Sequence, residues 1–284
     1  MILINFTMRK VLHKSTEFST GFPMGVDEHQ PWVAITGGSS GIGRVAALYL
    51  AKRGYGIVLA SEQAEALRDV QAEIREFGGR AKVVDLDLLD PTQVSTFMER
   101  VQESVGFCEI LVNNAGIGLL KPIEQISERE FRRVFEVNFF SLVNLCRQAL
   151  QVMSSQGRGH IINISSASAR RNLVGMSCYG ASKGAVHAFT QTLHIEAAKQ
   201  GVYVTEILPI SVKTEFFQRA GYQPKGLVQT PETIAKLIER AIQTKEAELC
   251  SSQLTRLGFV LDVVAPNLTA KILNLQERWR ARKE

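Results

Sequence analysis

The sequence predicts an α/β fold, a doubly wound parallel sheet with helices on both faces, on three observations. Short β-branched runs alternate with longer stretches of helical period from Trp32 onward, the signature of successive βαβ units. The polar and glycine-rich motifs fall just after strand candidates, where such a sheet binds its ligands. The length of 284 residues, 45% of them hydrophobic, matches one large α/β domain with an ample core.

The strand candidates are Trp32–Thr36, Gly56–Ala60, Ala81–Asp85, Ile110–Asn113, His160–Ser165 and Val202–Leu208. Between them, Ile42–Arg53, Ala64–Phe77, Pro91–Val105, Glu128–Met153, Ser177–Lys199 and Pro231–Thr244 repeat apolar residues every three to four positions, as helices packed on a sheet require. Six strands are therefore expected. After Thr214 the alternation stops, and Gly221, Pro224, Gly226 and Pro231 predict a loop placed as a substrate lid. Three segments follow: an extension over residues 1–30, a domain over 31–248, and an apolar, basic tail over 249–284.

Composition narrows the function classes. Lys plus Arg number 33 against 28 Asp plus Glu, a net charge of +5 with no basic block, so no nucleic-acid partner is expected. No apolar run approaches the ~20 residues of a membrane-spanning helix. Cys108, Cys146, Cys178 and Cys250 have neither disulfide nor metal spacing, which fits a reducing, cytoplasmic setting. The start MILINF precedes its basic residues, the reverse of a secretory signal, and Met8 and Met24 are alternative starts. His160, His187 and His194 lack ligand partners at matching spacing, so no metal is expected, and Cys178 reads as a packing residue.

The first strand runs into Thr36-Gly37-Gly38-Ser39-Ser40-Gly41-Ile42-Gly43 and then a helix. A glycine-rich turn there lets the backbone approach a pyrophosphate, and the helix N-terminus stabilises its charge. Further on come Asn113-Asn114-Ala115-Gly116 after the fourth strand, Asn138 in the long helix, Ser165-Ser166 after the fifth strand, and Tyr179-Gly180-Ala181-Ser182-Lys183 in the next helix. Tyr179 and Lys183, four apart, share a helix face. A phenol is a poor proton donor or acceptor at neutral pH, and a neighbouring ammonium such as Lys183 is expected to lower its pKa.

Over roughly Trp32 to Thr244 these motifs, in this order, resemble the short-chain dehydrogenase/reductase family, with its Rossmann-like fold. The resemblance implies an NAD(P)-dependent oxidoreductase interconverting a secondary alcohol and a ketone. Tyr179 would exchange the proton, Lys183 would lower its pKa, Ser166, 13 residues before Tyr179, would fix the substrate oxygen, and Asn138 would hold a relay water. Cofactor contacts are implied for Gly37, Ser39, Ser40, Gly41, Ile42, Gly43, Ser61, Glu62, Asp87, Leu88, Asn114, Ala115, Gly116, Tyr179, Lys183, Pro209, Val212 and Thr214. Asp87 reads either as the carboxylate meeting the adenine or as part of a helix start near Asp90-Pro91. Ile210 departs from the family by standing where glycine is expected, which bears on the nicotinamide pocket.

NAD and NADP both stay open. The end of the second strand, Ser61-Glu62, carries neither the Asp that would bind a ribose diol nor the Arg that would pair with a 2′-phosphate; Glu62 would repel a phosphate, a lean towards NAD. Phe216, Phe217, Tyr222 and Leu227 in the lid point to a hydrophobic steroid-, retinoid- or acyl-like substrate. The resemblance also implies a homodimer or homotetramer. Two alternatives remain: a cofactor-binding regulatory or scaffold protein without turnover, and a protein held at a membrane surface by its tail, whose net charge is +3.

Overall fold

The computed structural model describes residues 30–171, 174–221, 227–267, 269 and 271. The extension over 1–29, Tyr222 of the lid and the basic end of the tail lie outside the described residues.

Strands β1 (Trp32–Thr36), β2 (Gly56–Ser61), β3 (Ala81–Asp85), β4 (Ile110–Asn113), β5 (Gly159–Ile164), β6 (Val202–Leu208) and β7 (Glu248–Cys250) form one sheet in the order β3-β2-β1-β4-β5-β6-β7, with every pair parallel. The side-chain period of two divides each strand between faces. Val33 and Ile35 join Leu50, Leu67, Ile74 and Ile238 on one side, while Ala34, Val58 and Leu111 join Phe97, Met98, Leu145 and Val186 on the other. The first side is covered by α1 (Gly41–Ala51), α2 (Ala64–Glu76) and α9 (Pro231–Thr244). The second is covered by α4 (Phe97–Val105), which follows α3 (Pro91–Ser95), by α6 (Ser141–Ser155) and by α7 (Ser177–Ala198). Strand order reverses between β1 and β4, and that switch point opens a crevice at the carboxyl edge of the sheet.

The six expected strands are present within a residue at each end, and three details differ. The helix expected over Pro91–Val105 is divided at Thr96, because the hydroxyls of Ser95 and Thr96 both donate back to the Thr92 carbonyl. The helix expected over Glu128–Met153 is α5 (Glu128–Phe135), a π-helical turn over Glu136–Phe140, and α6. The seventh strand, β7, straddles the expected boundary at 248/249, so the tail begins inside the sheet. Beyond it, α10 (Gln253–Val264) is seated on the body by the buried Gly258 and Phe259. A short α8 (Glu215–Arg219) begins the lid.

Candidate active site

A cleft of about 810 Å³ lies over the switch point. Its lining includes every expected catalytic and cofactor residue except Gly43 and Asn138, which stand against the lining residues Gly37 and Ile117.

The turn after β1 is built for close approach. Gly37 and Gly41 have φ of +67° and +54°, a region that favours glycine. A Cβ on Gly43 would lie 2.2 Å from the Gly37 carbonyl oxygen and 2.7 Å from Asn114 Nδ2, so only glycine lets α1 start against this turn. Thr36 Oγ1 accepts from the amides of Asn114 and Ala115, at 3.0 Å each, and Asn114 Nδ2 donates to Thr36 O at 2.8 Å. These bonds lock the ends of β1 and β4 together across the crevice. The start of α1 carries no acidic residue in its first turn and no side-chain cap, which leaves its amides for an anion. These features fit a dinucleotide, with the pyrophosphate on the turn.

At the end of β2, Ser61 Oγ pairs with Ser39 Oγ at 3.0 Å and accepts from the Gln63 amide at 3.2 Å. Arg44, the nearest cation of the turn, is paired with Glu73 at 2.5 Å and does not line the cleft. The two readings of Asp87 separate in space. Asp90 caps α3 by accepting from Thr92 and Gln93, while Asp87 borders the cleft and accepts from the Leu89 amide. Ile210 has no left-handed backbone, so a β-branched residue is accommodated, and its amide donates to Ser251 Oγ at 3.0 Å.

Tyr179 and Lys183 project from the first turns of α7, and Ser166 from the loop after β5. Burial pushes the Tyr179 phenol up to about 12, with a hydrogen bond to Ser166 pulling the other way. The expected lowering by Lys183 is not among the influences on this phenol: the ammonium donates to the Ile164 carbonyl at 2.9 Å. Burial also brings Lys183, only 4% exposed, down to about 8, against an opposing influence of Glu206. Lys183 thus stays charged at neutral pH while the phenol keeps its proton.

Asn138 sits in the π-helical turn, a feature that frequently marks functional sites. Its Nδ2 donates to Ile117 O and Ser182 Oγ, at 3.0 Å each, and its Oδ1 accepts from the Ile117 amide at 2.8 Å. One lone pair of Oδ1 remains. Gly116 leaves a gap there, since a Cβ on it would meet Asn138 Oδ1 at 3.1 Å and Lys183 Nζ at 3.6 Å.

The apolar side of the cleft is formed by Phe216, whose ring lies 5.6 Å from that of Tyr179, and by Phe217 set edge-on at 5.4 Å. Leu227 is exposed and does not line the cleft. Sequence reasoning did not single out Gly118, Met176, Arg133, Arg171 or Thr255, all of which border it. A Cβ on Gly118 would lie 2.7 Å from the Phe216 ring, so this glycine seats the aromatic wall. Thr255 comes from α10, in the segment read as an appendage. Cys178 is buried with its thiol pushed up to about 11 by desolvation, which leaves it a packing residue. No helix among the described residues is long and apolar enough to cross a membrane.

The profile described as short chain dehydrogenase matches residues 31–225. A fatty acyl-CoA reductase from Acinetobacter baylyi is 31% identical over 243 residues, covering 85% of this chain and 82% of the relative. A short-chain dehydrogenase from Sphingobium yanoikuyae, solved in complex with NADPH, superposes with a TM-score of 0.76 at 28% identity, covering 84% of this chain and 95% of that one. A 3-ketoacyl-(acyl-carrier-protein) reductase from Brucella melitensis, complexed with NADH, gives a TM-score of 0.72 at 26% identity over 78% and 96% of the two chains. With its parallel sheet, its glycine-rich turn over the switch point and the Ser166, Tyr179 and Lys183 cluster, the chain belongs to the short-chain dehydrogenase family.

Proposed function

We propose that the chain is an NAD(P)-dependent reductase that interconverts a ketone and a secondary alcohol on an acyl-like, apolar substrate. The observation that carries this reading is the convergence of Tyr179, Ser166 and Lys183 at one end of a dinucleotide-sized cleft, under the ring of Phe216. A nicotinamide held between Gly116, Tyr179 and Thr214 would supply the hydride in reduction and accept it in oxidation. Ser166 Oγ would hold the substrate oxygen, and Tyr179, whose burial keeps its proton on, would give that proton to the same oxygen. Lys183 would then pass a proton to the phenolate and regain one from solvent by way of a water held between Asn138 Oδ1 and its ammonium, in the gap left by Gly116. The printed activities of the relatives, a fatty acyl-CoA reductase and a 3-ketoacyl reductase, favour the acyl member of the apolar substrates expected from the lid.

Glu62 at the end of β2, with Arg44 held by Glu73, supports NAD over NADP. Separate fluorescence titrations with NADH and NADPH test this: tighter NADH is expected, and Glu62→Arg is expected to shift the preference towards NADPH by roughly tenfold. Tighter NADPH binding by the natural chain contradicts the lean. The substrate reading is tested by following cofactor consumption with acetoacetyl-CoA beside steroid and retinoid carbonyls. Turnover confined to the latter contradicts it.

One observation favours a second reading, attachment to a membrane surface through the tail. The outward face of α10 presents Leu254, Leu257, Leu261 and Val264, all exposed, at helical spacing. Sedimentation with anionic liposomes of the full chain and of a chain lacking residues 249–284 decides it, since equal partitioning removes this reading. By family resemblance a homodimer or homotetramer is expected, and light scattering measures it.

A further inference from the structure

Behind the catalytic pair, a polar network centred on the buried Glu206 joins four elements. Glu206, on β6, is 0% exposed. One carboxylate oxygen accepts from His187 Nδ1 at 2.6 Å and from Gln191 Nε2 at 3.1 Å. The other oxygen is buried and has no hydrogen-bond partner. His187 Nε2 accepts from Arg170 Nε at 3.2 Å, which fixes the ring hydrogen on Nδ1, facing Glu206. The Arg170 guanidinium grips Glu248, which stands directly opposite Glu206 in the β6–β7 register.

A buried carboxylate with one oxygen unsatisfied is costly, and it persists where another charge faces it. The chain supplies that charge one helical turn away: Lys183 and His187 are four apart on α7 and share a face. Lys183 is itself buried, with the Ile164 carbonyl as its neutral partner. Asn163, the residue before Ile164, pairs in register with Glu206, so β5 and β6 bring the lysine's anchor and the carboxylate side by side.

We propose that Glu206, clamped by His187, is a positioning residue that holds the proton on Lys183 and so sets the pH range of the active site. This rests on the reading of Lys183 given above. Among the described residues, the charged and titratable groups around Glu206 are Lys183, which feels its charge, and His187 from α7, Glu248 from β7 and Arg170 from the turn after β5; Asp262 of α10 lies beyond, lining the same hollow as Arg170 and His187. Arg170 neutralises Glu248, which leaves Glu206 as the net negative charge towards the lysine. His187, Glu206 and Glu248 also place ligand atoms within 4.8 Å of one another, but the Arg170 guanidinium already fills the role of a cation there.

The test compares the full chain with its Glu206→Gln and Glu206→Asp variants from pH 6 to 10. NADH and NADPH affinity is read by fluorescence, and kcat/KM is read in both directions with acetoacetyl-CoA and its alcohol product. Removing a negative charge lowers the pKa of every group facing it, so the proposal expects Glu206→Gln to move the cofactor-affinity limb and both kcat/KM limbs to lower pH. A shift on the order of half a unit is expected from an unscreened charge at this depth. Glu206→Asp, which keeps the charge, is expected to restore most of the wild-type profile. If Glu206→Gln does not fold, His187→Leu removes the Nδ1 donor that clamps the carboxylate, from the partly exposed side, and is expected to give the same acid-ward shift.

Superimposable profiles with only a lower thermal midpoint overturn the proposal in favour of a structural role. So does a zinc-dependent change in the profile that Glu248→Gln abolishes. Tyr179→Phe distinguishes the two levels of the account. If that variant is inactive and the Glu206→Gln profile is unshifted, only the present inference fails; if that variant is fully active, the reading of the site fails.

Discussion

His160, at the head of β5 and 4% exposed, donates from Nε2 to Thr205 Oγ1 at 2.8 Å, and Thr205 passes its own hydrogen to Glu246 O. Desolvation brings its pKa down from 6.5 to about 4. The unfolded chain therefore binds a proton between those values while the folded chain does not, so this contribution is full above pH 6.5 and is lost as pH falls towards 4. The loss should reach about 2 kcal/mol by pH 5, measured by urea unfolding, and His160→Gln should flatten that acid limb. An equally steep limb in the variant contradicts the assignment. Gly116 bears on turnover rather than on stability. A methyl group there would fill the gap between Asn138 Oδ1 and Lys183 Nζ, so Gly116→Ala should lower kcat about tenfold or more with little change in thermal midpoint. Unchanged kcat would show that no relay passes through that gap.

The turn that joins β1 to α1 and the π-helical turn before α6 are the two elements that shape the cleft. In the first, the 2.2 Å approach of a Cβ on Gly43 to a backbone oxygen leaves no flexible group to yield, so Gly43→Ala should cost about 2 kcal/mol of stability and most of the cofactor affinity. Calorimetry and the NADH titration together check this, and normal binding would sink the turn's assigned role. In the second, the extra residue turns Asn138 inward to close three hydrogen bonds with Ile117 and Ser182. The sequence shows no sign of it, because Glu128–Met153 keeps its apolar spacing through the inserted residue. The break at Thr96 is hidden for a related reason: Ser95 and Thr96 lie inside a periodic stretch, and only their bonds back to Thr92 O show that they compete with the helix.

At the scale of the whole molecule, legibility follows how local the determining interactions are. Buried parallel strands read as β-branched runs, so six of the seven strands among the described residues and the switch-point crevice follow from the sequence, whereas β7 has three residues, too few for a period. The Ser166, Tyr179 and Lys183 cluster is legible because one loop and one helix turn carry it. The Glu206, His187, Arg170 and Glu248 network is not, because α7, β6, β7 and the turn after β5 assemble it across the sheet. The histidine dismissed on spacing acquires its partners only in three dimensions. Likewise α10, read as an appendage, reaches the cleft with Thr255. The central claim, that one buried phenol exchanges the proton in this cleft, is tested most directly by Tyr179→Phe, measuring NADH affinity and single-turnover reduction of acetoacetyl-CoA in the same preparation. The account expects affinity within about twofold of the natural chain and a reduction rate lower by at least roughly a thousandfold; a rate within a few-fold of the natural chain, with the cofactor bound, would contradict it.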